Sequence, residues 1–267
     1  MTVSTPASPT SPTSLVTAAT PVTAGTPGLS LLDVATWEEP RQLNARGTVF
    51  VLTGRGETPE VYQRFGSRLA ADAYRVVAIS ASDHLDPATT EQVADLVRSA
   101  ELPSPKVLLG SDAGARAALL LAGTLGVDGV VAAGLPVAGK VTETDWQTEI
   151  SARTACPNHQ RVLQRSTRGS LFHEVPAVRL SGRAPQRPAV PVLALHGSAD
   201  TLSPLPRALA WYAEAGITDV AVVEGGLHDI LNDVTHRSVA ATILLWLERL
   251  RVGPALPVVV GPAAGRG

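Results

Sequence analysis

Short continuous runs of β-branched and other apolar residues alternate along the chain with longer segments whose apolar residues recur at helical spacing. Continuous apolar runs are typical of parallel strands buried on both faces, and the alternation is typical of helices that cover such a sheet. The pattern therefore predicts an α/β protein with a mostly parallel, doubly wound sheet. The predicted strands are residues 47–53, 75–79, 106–110, 129–133, 190–195 and 219–223, and the predicted helices are residues 59–73, 90–99, 113–125, 204–215 and 239–251.

The regular alternation stops in residues 136–188, which are rich in proline and polar residues and carry no strong strand signal. Insertions after strand ends of an α/β sheet lie over the edge where ligands bind, so this segment is predicted to form a short cap. Residues 1–28 and 253–267 are predicted to be flexible tails, because their composition buries too little apolar surface to offset the entropy of ordering. One domain, residues 29–252, is expected between them.

The charge and cysteine content exclude several classes of function. A net charge of -2 gives no overall positive field for nucleic acid, and Cys156 is the single cysteine, so neither a disulfide framework nor a multi-cysteine metal site is expected. The chain shows no secretory leader and no apolar run of the ~20 residues that span a bilayer. We therefore expect a cytoplasmic protein with no membrane span. The sequence does not predict its oligomeric state.

The predicted cap has a different charge from the rest of the chain. Residues 136–188 contain eight basic and four acidic residues, a net charge of +4, whereas the whole chain is mildly acidic. Steering of an anionic small-molecule substrate is one interpretation, and a solvated surface without a ligand role is the other. The sequence leaves both open.

The most informative segment is residues 106–122, in which an apolar strand passes through a turn of small residues directly into an Ala/Leu helix. A nucleophile elbow has this context, and it needs small residues two positions before and two after the nucleophile because the strand and helix backbones pass close together. With Asp112 at the centre, these flanks are Gly110 and Gly114. With Ser111 at the centre, one flank would be the bulky Leu109. The register favours Asp112 over Ser111.

An acid and a histidine follow the elbow in the chain order of this type of site. Asp200 comes after the fifth predicted strand, and His228 comes after a Gly-Gly exit from the last predicted strand. Each residue has a simpler alternative role. Asp200 is also a suitable N-cap for the next helix, and His228 could be a surface loop histidine. The five other histidines are poorer candidates because none follows the last strand at this point.

Three blocks of sequence resemble the α/β-hydrolase family, and more narrowly its monoglyceride lipase and lysophospholipase-like branch. Residues 47–57 are similar to the strand and His-Gly-x-x-Glu loop that supplies half of the oxyanion hole, with Thr53 in place of the histidine. The elbow is similar except that Asp112 replaces the family's serine. Residues 191–200 and 225–233 resemble the acid and histidine loops. The resemblance implies an α/β-hydrolase fold with Asp112, Asp200 and His228 as the catalytic residues.

An aspartate at the elbow implies a two-step mechanism like that of haloalkane dehalogenases and epoxide hydrolases. The N-terminus of the helix that begins near Ala113 should keep the carboxylate ionised, and the backbone N–H groups of Ala113 and Arg55 are expected to form the oxyanion hole. Gly54, Trp146 and His159 are predicted to contact the substrate. Two departures weaken the narrower comparisons, because the cap lacks tyrosines that would assist epoxide opening and Ala113 replaces a halide-binding tryptophan.

Three functions follow from these residues. The first is a hydrolase whose Asp112 attacks a small or medium electrophile, such as an alkyl halide, an epoxide or an activated ester or lactone. The second is an esterase-like hydrolase or lyase in which Asp112 acts as a base or Ser111 is the nucleophile. The third is a non-catalytic binding protein on a disabled hydrolase scaffold. No phosphate-binding glycine motif and no cluster of metal ligands occurs, so neither cofactor nor metal is expected.

Overall fold

The computed structural model describes residues 32–80, 87–137, 145–166, 171 and 188–261. Within them, seven strands form one sheet in the order β1-β3-β2-β4-β5-β6-β7. β1 runs antiparallel to β3, and the other neighbouring strands are parallel. The strands are β1 (Val34–Trp37), β2 (Gly47–Leu52), β3 (Tyr74–Ile79), β4 (Lys106–Ser111), β5 (Gly129–Ala133), β6 (Val192–Gly197) and β7 (Asp219–Val223).

Helices cover both faces of this sheet. α1 and α7 pack on one face, and α2, α3 and α6 pack on the other, so the apolar residues form two cores separated by the sheet. This arrangement confirms the predicted α/β class with a mostly parallel, doubly wound sheet. The helices are α1 (Gln63–Ala71), which follows a 3₁₀ turn (Pro59–Tyr62), α2 (Pro87–Arg98), α3 (Ala113–Leu125), α4 (Trp146–Arg153), α5 (Pro157–Ser166), α6 (Leu205–Glu214) and α7 (His236–Val252).

Every predicted strand and helix is present, and the ends agree within three residues when the 3₁₀ turn Pro59–Tyr62 is counted with α1. β1, α4 and α5 were not predicted. β1 is four residues long with alternating burial at the sheet edge, so it lacks the continuous apolar run of the inner strands. In α4, two of the three buried residues are Glu149 and Arg153, so no apolar stripe marks the helix.

The predicted tails and cap are described only in part. Residues 1–28 lie outside the described residues, as do 138–144 and most of 167–187, and no helix or strand is found in residues 253–261. The boundaries of the domain and the cap therefore stay predictions. None of the helices in the described ranges is long and apolar enough to cross a membrane.

The turn between β4 and α3 brings three backbone segments into close contact. A Cβ atom on Gly110 would lie 2.0 Å from the carbonyl oxygen of Gly114, and a Cβ atom on Gly114 would lie 2.1 Å from the carbonyl oxygen of Leu52. Backbone atoms cannot move aside as a flexible side chain can. The two glycines are therefore required for β2, β4 and α3 to meet at this point.

Replacing Gly114 with alanine should destabilise the fold by about 3 kcal/mol or more, because the new methyl group overlaps the backbone of β2. Gly123 is the matched control, because it is exposed in α3 and no atom lies within 4 Å of the place that a methyl group would take. There the same substitution should stabilise the protein by about 0.5–1 kcal/mol through helix propensity. Urea unfolding measures both, and equal effects at the two sites would contradict the close packing of the elbow.

Candidate active site

Asp112 occupies the turn between β4 and α3 with an unusual backbone conformation. Its φ is 51° and its ψ is -122°, a region that costs a non-glycine residue about 1–3 kcal/mol. Its N–H group donates to the Ala133 carbonyl at 3.0 Å, which fixes the turn against the end of β5. The side chain is buried, with 1% of its surface exposed. The sheet therefore holds a carboxylate in a strained position at the carboxyl ends of its central strands.

His228 links Asp112 to Asp200. The imidazole Nε2 lies 3.3 Å from Asp112 Oδ1, and Nδ1 lies 2.7 Å from Asp200 Oδ2. The other oxygen of Asp200 accepts hydrogen bonds from the backbone N–H groups of Leu202 and Ser203. Because α6 begins only at Leu205, Asp200 is not the N-cap of that helix. The three residues predicted to form the catalytic group thus lie together, in the predicted order of contact.

Two glycines allow the His228 loop to reach this position. A Cβ atom on Gly134, after β5, would lie 2.4 Å from the carbonyl oxygen of His228. A Cβ atom on Gly197, at the end of β6, would lie 2.2 Å from the carbonyl oxygen of Gly226. The loop therefore packs directly onto the ends of two strands.

His196 of β6 also contacts Asp200. Its Nε2 lies 3.3 Å from Asp200 Oδ2 and 2.6 Å from the Ser203 carbonyl oxygen.

The charges in this group shift one another's pKa values. Burial alone would raise the pKa of Asp112, but Arg55, His228 and Arg153 outweigh it and lower that pKa. The pKa of Asp200 is lowered in the same way, with His228 as the main opposing charge to the burial effect. Burial would lower the pKa of His228, but the two carboxylates raise it to about 10. At neutral pH both carboxyl groups are therefore ionised and the imidazole is protonated.

Arg55, in the loop after β2, contacts Asp112 twice. Its backbone N–H donates to Asp112 Oδ2 at 3.1 Å, and its Nε donates to the same oxygen at 2.7 Å. The sequence predicted a role for the backbone amide and missed the side chain. Asp112 Oδ1, in contrast, has no well-formed hydrogen bond among the described residues and faces the imidazole of His228. The two oxygens of the carboxylate therefore have different surroundings.

A second buried arginine lies beside the first. Arg153 of α4 places NH2 3.9 Å from Asp112 Oδ2 and donates from NH1 to Glu57 at 3.3 Å. Glu149 lies between the two arginines, and its Oε1 accepts from Arg55 NH1 at 3.1 Å and from Arg153 NH2 at 3.1 Å. All of these side chains are buried. We call Arg55, Glu57, Glu149 and Arg153 the buried charge cluster, and its last three members were not predicted from the sequence as site residues.

Solved structures share this architecture. A soluble variant of monoglyceride lipase from Saccharomyces cerevisiae in complex with a substrate analog superposes with a TM-score of 0.69 and 13% identity, covering 88% of this chain and 97% of that one. Monoacylglycerol lipase from Paleococcus ferrophilus superposes with a TM-score of 0.63 and 18% identity, covering 83% of this chain and 100% of that one. A thermostable carboxyl esterase from Bacillus coagulans superposes with a TM-score of 0.59 and 16% identity, covering 82% of this chain and 94% of that one. The chain has the α/β-hydrolase fold.

Neither a family model nor a curated protein sequence matches the chain. The superpositions establish the α/β-hydrolase fold. At identities of 13–18%, they establish nothing finer about the chemistry. The function has to be argued from the residues at the carboxyl edge of the sheet.

Within the α/β-hydrolase fold, Ser111 and Asp112 have different neighbours. Ser111 acts to lower the pKa of Tyr62, against the larger effect of burial, and the Tyr62 hydroxyl donates to Glu57 Oε2 at 2.5 Å. Burial and the charge of Asp229 raise the pKa of Glu57, against the opposing effect of Arg153. His228 Nε2 lies 3.3 Å from Asp112 Oδ1. The two residues of the elbow therefore have different surroundings.

The residues predicted to contact the substrate border the site, but each of them interacts with other residues of the protein. The Gly54 N–H donates to Glu57 Oε2 at 3.1 Å, the Trp146 ring lies 5.2 Å from the Arg153 guanidinium carbon, and His159 Nε2 lies 3.3 Å from Asp229 Oδ2. Ala113 is the first residue of α3. Substrate contact by these residues stays a prediction. The described part of the chain contains no cluster of three or more His, Cys, Asp or Glu residues suited to a metal ion.

Proposed function

We propose that the protein is a hydrolase in which Asp112 is the nucleophile and the substrate is a small electrophile, such as an alkyl halide, an epoxide or an activated ester. The observation that carries the proposal is the unequal environment of the Asp112 oxygens. Oδ2 accepts two hydrogen bonds from Arg55, whereas Oδ1 has no well-formed hydrogen bond among the described residues and lies 3.3 Å from His228 Nε2. A carboxylate that attacks through one oxygen and carries an oxyanion on the other needs this asymmetry.

In the first step, Asp112 Oδ1 attacks the electrophilic carbon of the substrate. A C–O bond forms as the carbon–halogen bond breaks, and the electron pair leaves with the halide. With an epoxide, the ring C–O bond breaks and the resulting alkoxide takes the proton of the His228 imidazolium. No base is required, because the lowered pKa keeps Asp112 ionised. The product of this step is an ester between Asp112 and the substrate carbon. With an activated ester, the leaving alkoxide or phenoxide departs instead and the product is a mixed anhydride.

In the second step, water hydrolyses that ester at the carbonyl carbon of Asp112. Esterification removes one of the two negative charges that raise the pKa of His228, so that pKa falls and the imidazolium releases its proton, to solvent or to the alkoxide of an opened epoxide. The neutral imidazole then accepts a proton from the attacking water. Asp200 holds the imidazole through Nδ1. Oδ2 carries the developing negative charge, which the backbone N–H and the guanidinium of Arg55 stabilise. Collapse of this intermediate releases the alcohol and restores the carboxylate.

The test uses the His228→Gln variant, in which the second step should be blocked and the ester should accumulate. The variant is incubated with haloalkanes, epoxides, activated esters and a fluorophosphonate, and peptide mass spectrometry locates any adduct. We expect an adduct on Asp112 whose mass identifies the reaction class, and no adduct in the His228→Gln/Asp112→Asn control. An adduct on Ser111 would show instead that the protein is a serine esterase.

A second candidate, the non-catalytic scaffold, is favoured by one observation. Asp112 is 1% exposed and is already paired with Arg55 and His228, so the described conformation satisfies the carboxylate without any ligand. The strained backbone at Asp112 argues against this candidate, because a scaffold that needs only its fold gains nothing from such strain. Absence of any adduct and of any turnover across the panel would favour the scaffold.

A further inference from the structure

Building on Asp112 as the nucleophile, we propose that the substrate carries a carboxylate next to its reactive carbon. This carboxylate takes the place of the Glu149 side chain between Arg55 and Arg153. The substrate class is therefore a short carboxylic acid with a leaving group on the neighbouring carbon, such as a 2-halocarboxylate.

The position of Glu149 shows that the two arginines form a carboxylate site. Oε1 of Glu149 accepts from Arg55 NH1 at 3.1 Å, and from Arg153 Nε at 3.2 Å and NH2 at 3.1 Å. Three guanidinium N–H groups thus converge on one carboxylate oxygen. Charge-assisted hydrogen bonds of this kind are among the strongest in proteins, and arginine is well suited to planar carboxylates.

The same guanidinium fixes the distance between this site and the nucleophile. Arg55 donates from Nε to Asp112 Oδ2 and from NH1 to Glu149 Oε1, and these two nitrogens are bonded to one carbon. A ligand carboxylate in place of Glu149 would therefore lie beside Asp112. Attack requires the reactive carbon to be about 3–3.5 Å from Oδ1, so only a carbon close to that carboxylate fits.

Exchange of one carboxylate for another leaves the charge between the two arginines unchanged. Glu57 and Asp229 also lie near Arg153, so an additional anion would meet repulsion, whereas a replacement for Glu149 would not. The desolvation of both arginines is already part of the folded state, and this lowers the cost of binding a new anion there.

The two arginines have other contacts that keep them in place when Glu149 turns away. Arg153 NH1 lies 3.3 Å from Glu57 and 3.4 Å from the Arg55 carbonyl oxygen, and the Arg153 carbonyl oxygen accepts from the Asp229 N–H. Arg55 keeps its two hydrogen bonds to Asp112. Rotation of one glutamate side chain therefore exposes an arranged anion site.

The first experiment removes Glu149 and supplies a small carboxylate. In Glu149→Ala, 100 mM acetate should raise Tm by about 5 °C or more, because the ligand refills a site that only the folded state contains. Acetamide, which is neutral and of the same shape, should not, and neither should acetate added to Glu60→Ala, an exposed control. Glu149→Gln provides a variant that keeps the side-chain volume if the alanine variant does not fold. Equal shifts with acetate and acetamide would overturn the carboxylate site.

The second experiment compares alkylation of His228→Gln by chloroacetate and chloroacetamide. We expect the ester on Asp112 to form at least tenfold faster with chloroacetate, although chloroacetamide is the more reactive compound toward an anion in the absence of a binding site. Equal rates, or a preference for the amide, would overturn the substrate class while leaving Asp112 as the nucleophile. If no compound labels Asp112 while acetate still stabilises Glu149→Ala, the proposed function fails and the carboxylate site stands.

Discussion

Replacing Asp112 with asparagine should lower kcat by about 10⁴-fold or more, an effect comparable to the loss of a nucleophile in other covalent enzymes. Asparagine keeps the size of the side chain, but its neutral amide oxygen does not displace a halide or open an epoxide. The measurement is steady-state turnover of the fastest substrate in a panel of haloalkanes, epoxides and nitrophenyl esters. The loss should be the same at every substrate concentration that saturates the wild type.

Ser111→Ala is the matched control for this prediction, because Ser111 is the neighbouring residue and the alternative nucleophile. Ser111 interacts with Tyr62 and has no part in the proposed mechanism, so the variant should retain kcat within about threefold. Urea unfolding of Asp112→Asn shows whether the variant is folded under assay conditions, since the substitution leaves Arg55 and His228 with less negative charge. A folded Asp112→Asn enzyme with normal turnover would remove Asp112 from the mechanism.

Replacing Arg153 with methionine should destabilise the protein by about 3–5 kcal/mol. The guanidinium is fully buried between Glu57 and Glu149, so its removal leaves two carboxyl groups desolvated without their shared cation. Methionine fills much of the volume of the arginine side chain beside the Trp146 ring. The loss of stability therefore reports mainly on the removed charge. The free energy of unfolding from urea denaturation is the measurement.

Arg98→Met provides the comparison, because Arg98 also bridges two acidic residues, Glu91 and Asp95, but with 54% of its side chain exposed. Water and salt screen these surface pairs, so the substitution should change the free energy of unfolding by about 1 kcal/mol or less. Similar losses for the two variants would mean that the buried charge cluster contributes no more than an ordinary surface ion pair.

The elements that the sequence predicted are those with a local signal. β4, the elbow and α3 follow from an apolar run, a pair of glycines and an Ala/Leu helix, and α3 begins and ends at the predicted residues. The grouping of Asp112, Asp200 and His228 was inferred from chain order and is seen in the structure, although their catalytic roles stay predictions. The cytoplasmic location and the absence of a nucleic acid partner also stay predictions.

The parts that the sequence did not predict depend on contacts between distant residues. The Arg55 side chain meets Glu149 across 94 positions, and Arg153 meets Glu57 across 96, and no periodic pattern marks such pairs. Arg153 was counted only as one of the cap's basic residues, yet it is buried rather than part of a solvated surface. The charge of a segment does not reveal which of its members face inward.

Arg55 supplies both a main-chain and a side-chain donor to the same oxygen of Asp112. The main-chain donor survives every substitution except proline, so a change at this position removes part of the support for Oδ2 and not all of it. A substitution at position 55 therefore removes the side-chain donor and leaves the main-chain donor in place, whereas a substitution at position 112 removes the acceptor of both.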